Sequence, residues 1–202
     1  MADTICIMGG TFNPFHNGHL QLAKQAHEQF SLPKILVMPS STPAHKAHSD
    51  LISSRHRCNM VLAAISAYPY MELSTMEIER GGSTYTSDTL RELKRENPDI
   101  TIYFIIGADS LYNLPKWHEP EYVMSNCFFL AANRDQHSQK ELKEQKKFLE
   151  DTYHAHIDFL DTPELPFSST SIRKSLKAGE SIAGMVPEPV ETYIYNHHLY
   201  WN

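Results

Sequence analysis

The sequence predicts an α/β fold of the doubly wound type, a mostly parallel sheet with helices on both faces. Three observations carry that prediction. Short apolar runs recur along the chain, and several stop at glycine. Segments whose apolar residues repeat at helical spacing lie between those runs. The two signals alternate, which is the pattern of strand–helix–strand units that build a parallel sheet.

Residues 4–8 are the first such run and enter Gly9-Gly10; with no polar face they predict a buried strand. Residues 18–30 place Leu22, Ala23, Ala26 and Phe30 on one side of a helix. A second strand covers 35–38 and is stopped by Pro39, before a polar loop containing Pro43 and His45-Lys46. Cys58, Val61, Leu62 and Ile65 then return to helical spacing. The stretch 71–78 alternates weakly and runs into Gly81-Gly82, predicting a strand and then a loop. Residues 87–96 read as a helix closed by Pro98, and 102–106 as a strand ending at Gly107. Residues 127–132 are a further strand, 139–150 a charged helix with a solvated face, and 157–160 a last strand. Residues 168–177 start with serine and precede Gly179, the start and stop signals of a helix. Val190, Tyr193 and Ile194 mark a terminal helix after Pro187 and Pro189. No repeat, low-complexity tract or linker interrupts the order, so residues 1–202 read as one domain.

Composition removes several classes of function. Lys plus Arg is 18 against 24 Asp plus Glu, a net charge of −6. Such a chain has no basic face to lay on nucleic acid, so a bound phosphate must be held by a few placed groups. The longest apolar run, 127–132, is far short of the ~20 residues of a membrane span. The first residues lack a basic-then-apolar leader pattern, so no secretory signal is expected. Cys6, Cys58 and Cys127 form no CxxC pair and no zinc spacing. They read as buried reduced thiols of a cytoplasmic protein.

One segment concentrates the chemistry: Gly9-Gly10-Thr11-Phe12-Asn13-Pro14-Phe15-His16-Asn17-Gly18-His19-Leu20. Paired glycines after a strand let backbone amides approach an anion, and the helix that opens near Gly18 adds its positive end. His16 and His19 are three apart across that helix start, so both can address one phosphate; the alternative is a structural pair. The segment is neither GxGxxG nor the GK[ST] of a P-loop, which disfavours both of those nucleotide folds.

GGTFNPFHNGHL resembles the HxGH signature of the nucleotidyltransferase superfamily. GGSTYTSDTL at 81–90, IGADSLYNLPKW at 106–117 and SSTSIR at 168–173 are similar to further blocks of the bacterial nicotinate-nucleotide adenylyltransferases. These matches run in order over almost the whole chain, with one departure: Asn13 stands where that family usually has aspartate.

The resemblance implies a Rossmann-like sheet and a reaction in which ATP and nicotinate mononucleotide give deamido-NAD and pyrophosphate. It implies a Mg²⁺ requirement, the ion riding on ATP phosphates and water, which suits a hard cation and requires no protein ligand set. His16 and His19 would be the catalytic pair, donating to the α-phosphate. Gly9, Gly10, Thr11 and Phe12 would lie against ATP, as would Gly107, Asp109 and Arg134. Ser168, Ser169, Thr170, Ile172 and Arg173 would form its second phosphate site. His45 and Lys46 would hold the phosphate of the mononucleotide. Trp117 would stack on the pyridine ring while Thr84, Tyr85 and Thr86 present amides to its carboxylate. Bland alternatives stand beside these: an N-cap for the serines, a helix cap for Asp109, a solvated loop for His45-Lys46, a core tryptophan and a helix cap for Trp117 and Thr86. Nicotinamide-mononucleotide and phosphopantetheine adenylyltransferases, and a non-catalytic nucleotide sensor, are the competing functions. The expected partners are the two substrates, with no nucleic acid and no membrane, and the expected assembly is a monomer or small homo-oligomer.

Overall fold

The computed structural model describes residues 3–41, 51–132, 138–161 and 166–201. His45, Lys46 and Arg134 lie outside the described residues.

Six parallel strands form one sheet in the order β3-β2-β1-β4-β5-β6. They are β1 Thr4–Gly10, β2 Ile35–Pro39, β3 Met71–Leu73, β4 Thr101–Ile106, β5 Phe128–Ala132 and β6 His156–Leu160. Every pairing among them is parallel, a step beyond the mostly parallel sheet expected from the sequence. The strand period of two splits their side chains between two cores. Cys6 and Met8 join Ile105, Leu130 and Ala132 on one face. Ile5 and Ile7 join Ile102, Phe104, Phe129 and Ala131 on the other. Helices α1 Asn17–Phe30, α2 Ser54–Ile65, α8 Ser169–Lys177 and α9 Glu188–Asn196 supply the first core; α4 Thr86–Glu96, α5 Ala108–Asn113, α6 Pro120–Asn126 and α7 Gln139–Tyr153 supply the second. With both faces covered, the inner strands β1, β2, β4 and β5 have no polar side, which is why they read as continuous apolar runs, whereas β6 at the edge keeps His156 and Asp158 exposed.

Three details differ from the sequence reading. The stretch 71–78 is not one strand: β3 ends at Leu73 and a five-residue helix, α3 Met76–Arg80, follows. The apolar parity slips there, from odd positions (Met71, Leu73) to even ones (Met76, Ile78), and Glu77 and Glu79 suit a first helical turn. The buried stripe of α2 is Arg57, Met60, Val61, Ala64 and Ile65, while Leu62 is 49% exposed. The segment between Gly107 and Cys127, unassigned from sequence, holds α5, a 3₁₀ turn at Leu114–Lys116 and α6.

The order of strands reverses its direction of winding between β1 and β4, and ligands of open parallel sheets sit at the carboxyl ends beside that point. The segment after β1 and the turn at Gly107 after β4 both open there.

Candidate active site

The glycines that end β1 lie under aromatic rings. A Cβ on Gly9 would stand 3.2 Å from Phe104 Cζ, and one on Gly10 would stand 2.8 Å from the Phe12 ring. A Cβ at Gly10 would therefore force the Phe12 ring to shift, and one at Gly9 would require Phe104 to give by a few tenths of an ångström. Phe12 takes a left-handed backbone (φ 49°), costly for a bulky residue and held here by contacts of its ring with Phe15 and His19.

His16 is the N-cap of α1 and only 5% exposed. Its Nδ1 accepts the Gly18 N–H (3.1 Å), and His19 Nδ1 accepts the His16 N–H (3.2 Å). The two rings cap the helix reciprocally, as a serine–glutamate box does elsewhere, and stack with centroids 3.7 Å apart. A ring nitrogen that accepts a hydrogen bond carries no proton, so each neutral ring bears its hydrogen on Nε2. The cap thus sets both tautomers, with the N–H of each imidazole at Nε2.

The loop between β1 and α1 is tied down from a distance. Arg57 Nη1 donates to Thr11 O (2.9 Å), Arg173 Nη1 to Asn13 O (2.9 Å) and the Ser169 hydroxyl to Pro14 O (3.0 Å). Asn13 Oδ1 accepts the buried Tyr200 hydroxyl at 2.8 Å. Burial pushes the Tyr200 phenol far above its ordinary value, so it stays a donor.

Next to this loop is a cavity of about 540 Å³, lined by Gly9, Gly10, Thr11 and Ser40 on one side and by Thr84, Tyr85, Thr86, Gly107, Trp117 and His118 on the other. Trp117 is half-buried and meets Phe104 edge-on, with centroids 6.2 Å apart. Tyr85 is the N-cap of α4, so the N–H groups of Thr86 and Ser87 belong to a first turn, where no helix carbonyl can reach them. The hydroxyls of Ser40 and Thr84 are buried and have no hydrogen-bond partner among the described residues. Glu77 also lines this cavity at 5% exposure; it accepts the Thr89 hydroxyl at 3.0 Å, and burial pushes its carboxyl up. The geometry is a donor-rich, aromatic-walled cleft beside two histidine donors, suited to a flat ring that carries an anion.

Residues 7–175 match the cytidylyltransferase-like family model. A protein of Lachnoclostridium phytofermentans named "Probable nicotinate-nucleotide adenylyltransferase" is 45% identical over 96% of this chain and 97% of its own. A Moorella thermoacetica protein of the same name is 38% identical over 96% of this chain and 90% of its own. The chain belongs to the nicotinate-nucleotide adenylyltransferases. Its fold matches a solved Plasmodium falciparum nicotinic acid mononucleotide adenylyltransferase complexed with NaAD, with a TM-score of 0.82 at 22% identity over 99% of this chain and 98% of that one. A second structure of that enzyme, complexed with APC, matches with a TM-score of 0.80 at 22% identity, covering 99% and 98%.

The remaining residues picked from this family's motifs fall into two groups. Gly9, Gly10, Thr11, Thr84, Tyr85, Thr86, Gly107 and Trp117 line the cleft, and Phe12, His16 and His19 follow Thr11 in the adjoining loop and helix start, with the Phe12 ring against His19. Those of the SSTSIR block pack against the histidine loop. Ser168 is the N-cap of α8 in a capping box with Ser171, and Ser169 and Arg173 hold loop carbonyls. Thr170 is exposed, and Ile172 points into the core with its N–H bonded to Ser168 O (2.9 Å). Asp109 is exposed in the first turn of α5, whose N-cap is Gly107. Arg57, Ser40, Glu77 and His118 were missed. Arg57 had a signal: it occupies a position on the apolar stripe of α2, where an arginine is out of place.

Proposed function

We propose that the protein transfers the adenylyl group of ATP to nicotinate mononucleotide, giving deamido-NAD and pyrophosphate. The observation that carries this reading is the reciprocally capped His16–His19 pair beside a cleft walled by Trp117 and the start of α4. A phosphate oxygen of the mononucleotide attacks the α-phosphorus of ATP, and the bond to the bridging oxygen breaks as pyrophosphate leaves. Charge grows on the non-bridging α-oxygens during that exchange. Nε2–H donors held in fixed tautomers meet it without reorganisation, and no covalent enzyme intermediate is needed. Gly9, Gly10, Thr11, Phe12, Gly107, Asp109 and Arg134 form the ATP side, and the α8 start with Arg173 serves its outer phosphates. His45 and Lys46 take the phosphate of the mononucleotide. Trp117 stacks on its ring, and the amides of the Thr84–Thr86 segment receive its carboxylate.

Among the described residues no three His, Cys, Asp or Glu side chains converge as a metal cage. A Mg²⁺ ion would arrive on ATP, held by phosphates and water, which suits a hard cation and requires no protein ligand set. Bound there, Mg²⁺ would neutralise charge on the polyphosphate. Placement in the cytoplasm is supported by three free cysteines, two of them buried; burial pushes the Cys127 thiol up to about 12 and Cys6 higher still. No described helix is long and apolar enough to cross a membrane. The working form is a monomer or small homo-oligomer.

Purified protein with ATP, Mg²⁺ and nicotinate mononucleotide should release pyrophosphate and deamido-NAD in equal amounts. ATP hydrolysis without the joined dinucleotide, or no turnover, would remove this reading.

A further inference from the structure

Arg57 is the largest of the fully buried side chains, 1% exposed in the second turn of α2. Its guanidinium bridges two loops: Nη1 donates to Thr11 O at 2.9 Å and Nη2 to Ser41 O at 3.1 Å. Thr11 follows β1 and begins the histidine loop. Ser41 follows β2, the neighbouring strand, and adjoins Ser40, which lines the cleft. Among the described residues Arg57 has no carboxylate within 4 Å, and its buried Nε has no partner. Burial accordingly holds the guanidinium below its ordinary value. Burying a cation against carbonyl dipoles alone is expensive, and an apolar side chain of similar length would fill the same space at less cost. What leucine or methionine cannot do is hold two carbonyls in one plane at a fixed separation; the planar fork of arginine can.

We propose that Arg57 is a positioning residue of the transfer reaction: it ties the start of the histidine loop at Thr11 to the end of β2 at Ser40-Ser41, two places where the chain lines the cleft. The attacking phosphate and the donors around the α-phosphorus thereby keep their relative placement. The inference rests on the adenylyl-transfer reading above. Each loop can still bind its own substrate without the bridge, but the two substrates then meet less often in line, and that loss falls on kcat.

The test compares the parent with Arg57→Met, which removes the buried charge and keeps the volume, and Arg57→Lys, which can reach only one carbonyl. Folding is followed by circular dichroism and thermal midpoint. Kd for ATP and for nicotinate mononucleotide are each measured alone by calorimetry, and kcat by pyrophosphate release. We expect folded variants whose two Kd values stay within about threefold of the parent while kcat falls at least ~30-fold in Met and less in Lys. A folded Met variant with parental kcat overturns the inference while leaving the reaction intact. Kd losses that match the kcat loss overturn it too, because Arg57 would then serve binding or general stability. If Met fails to fold, Lys decides by the same criteria. A parent without turnover on nicotinate mononucleotide removes the functional reading, and this inference with it.

Discussion

Between residues 11 and 16 the carbonyls of Thr11, Asn13 and Pro14 are taken by Arg57, Arg173 and Ser169, side chains far away in sequence. Between 81 and 86 the fastening is of another kind: Ser83 forms a β-bridge, Tyr85 stacks on His118 with centroids 4.4 Å apart, and below the loop Thr89 bonds Glu77 (3.0 Å) and Arg80 (2.9 Å). Gly81 and Gly82 both take φ +68° with nothing within 4 Å of a Cβ. One loop has its carbonyls held by distant side chains; the other holds a buried hydroxyl, that of Thr84, with no partner among the described residues. On the proposed function, the difference would suit two tasks. Donors that meet developing charge work best when already fixed, and each remote bond removes a way for them to relax. A recognition wall gains selectivity from groups that only the right ligand can satisfy.

Breaking the fixed loop should have the largest effect. His16→Ala and His19→Ala each lower kcat by at least ~10²-fold while ATP still binds, as isothermal titration and pyrophosphate release would show. Both also lose part of the helix cap, so a sharper version is His16→Asn. Its amide oxygen can accept the Gly18 N–H, and stability should recover while turnover does not. Recovery of both would mean that His16 matters only as a cap. A smaller effect is expected at Asn13. Its oxygen accepts from Tyr200 with Arg173 close by, and a carboxylate can accept the same bond. Asn13→Asp should keep kcat within roughly tenfold of the parent; a collapse with the fold intact would show that charge there harms phosphate binding.

The smallest effect belongs to the base of the open loop. Burial raises the Glu77 carboxyl above its ordinary value, so the folded chain favours the protonated form. Stability therefore declines as pH rises from the ordinary carboxylate range through the folded value, and above it the full penalty applies. Glu77→Gln keeps an acceptor for Thr89 and removes that penalty. Its thermal midpoint should exceed the parent's by a few degrees at about pH 8 and approach it at about pH 4. A midpoint gap that grows on acidification would contradict the sign.

Much of this was legible beforehand because periodicity reports burial. The strands at 4–8, 35–38 and 102–106 are apolar on both faces since helices cover both, and the α8 start at Ser168 announced itself by its cap. The helices between 108 and 126 were illegible for the opposite reason: they are short, and Pro115 and Pro120 break any helical period. In the site, spacing brought His16 and His19 together but could not reveal that they cap one another. Nor could spacing show that Ser169 and Arg173 reach back to carbonyls over 150 residues earlier; such bonds depend on tertiary placement.

The contrast between a fixed reaction loop and the wall that holds Thr84 is tested most directly by substrate choice. Nicotinate and nicotinamide mononucleotides are nearly the same shape, and differ in offering the amides of 84–86 either a carboxylate or an NH₂ group. An NH₂ facing donors leaves polar groups unpaired on both sides, at about 1–3 kcal/mol each. The measurement is kcat/KM for the two mononucleotides at saturating ATP. A preference for nicotinate of roughly 10²- to 10⁴-fold is expected. Equal values, or a preference for the nicotinamide form, would contradict it.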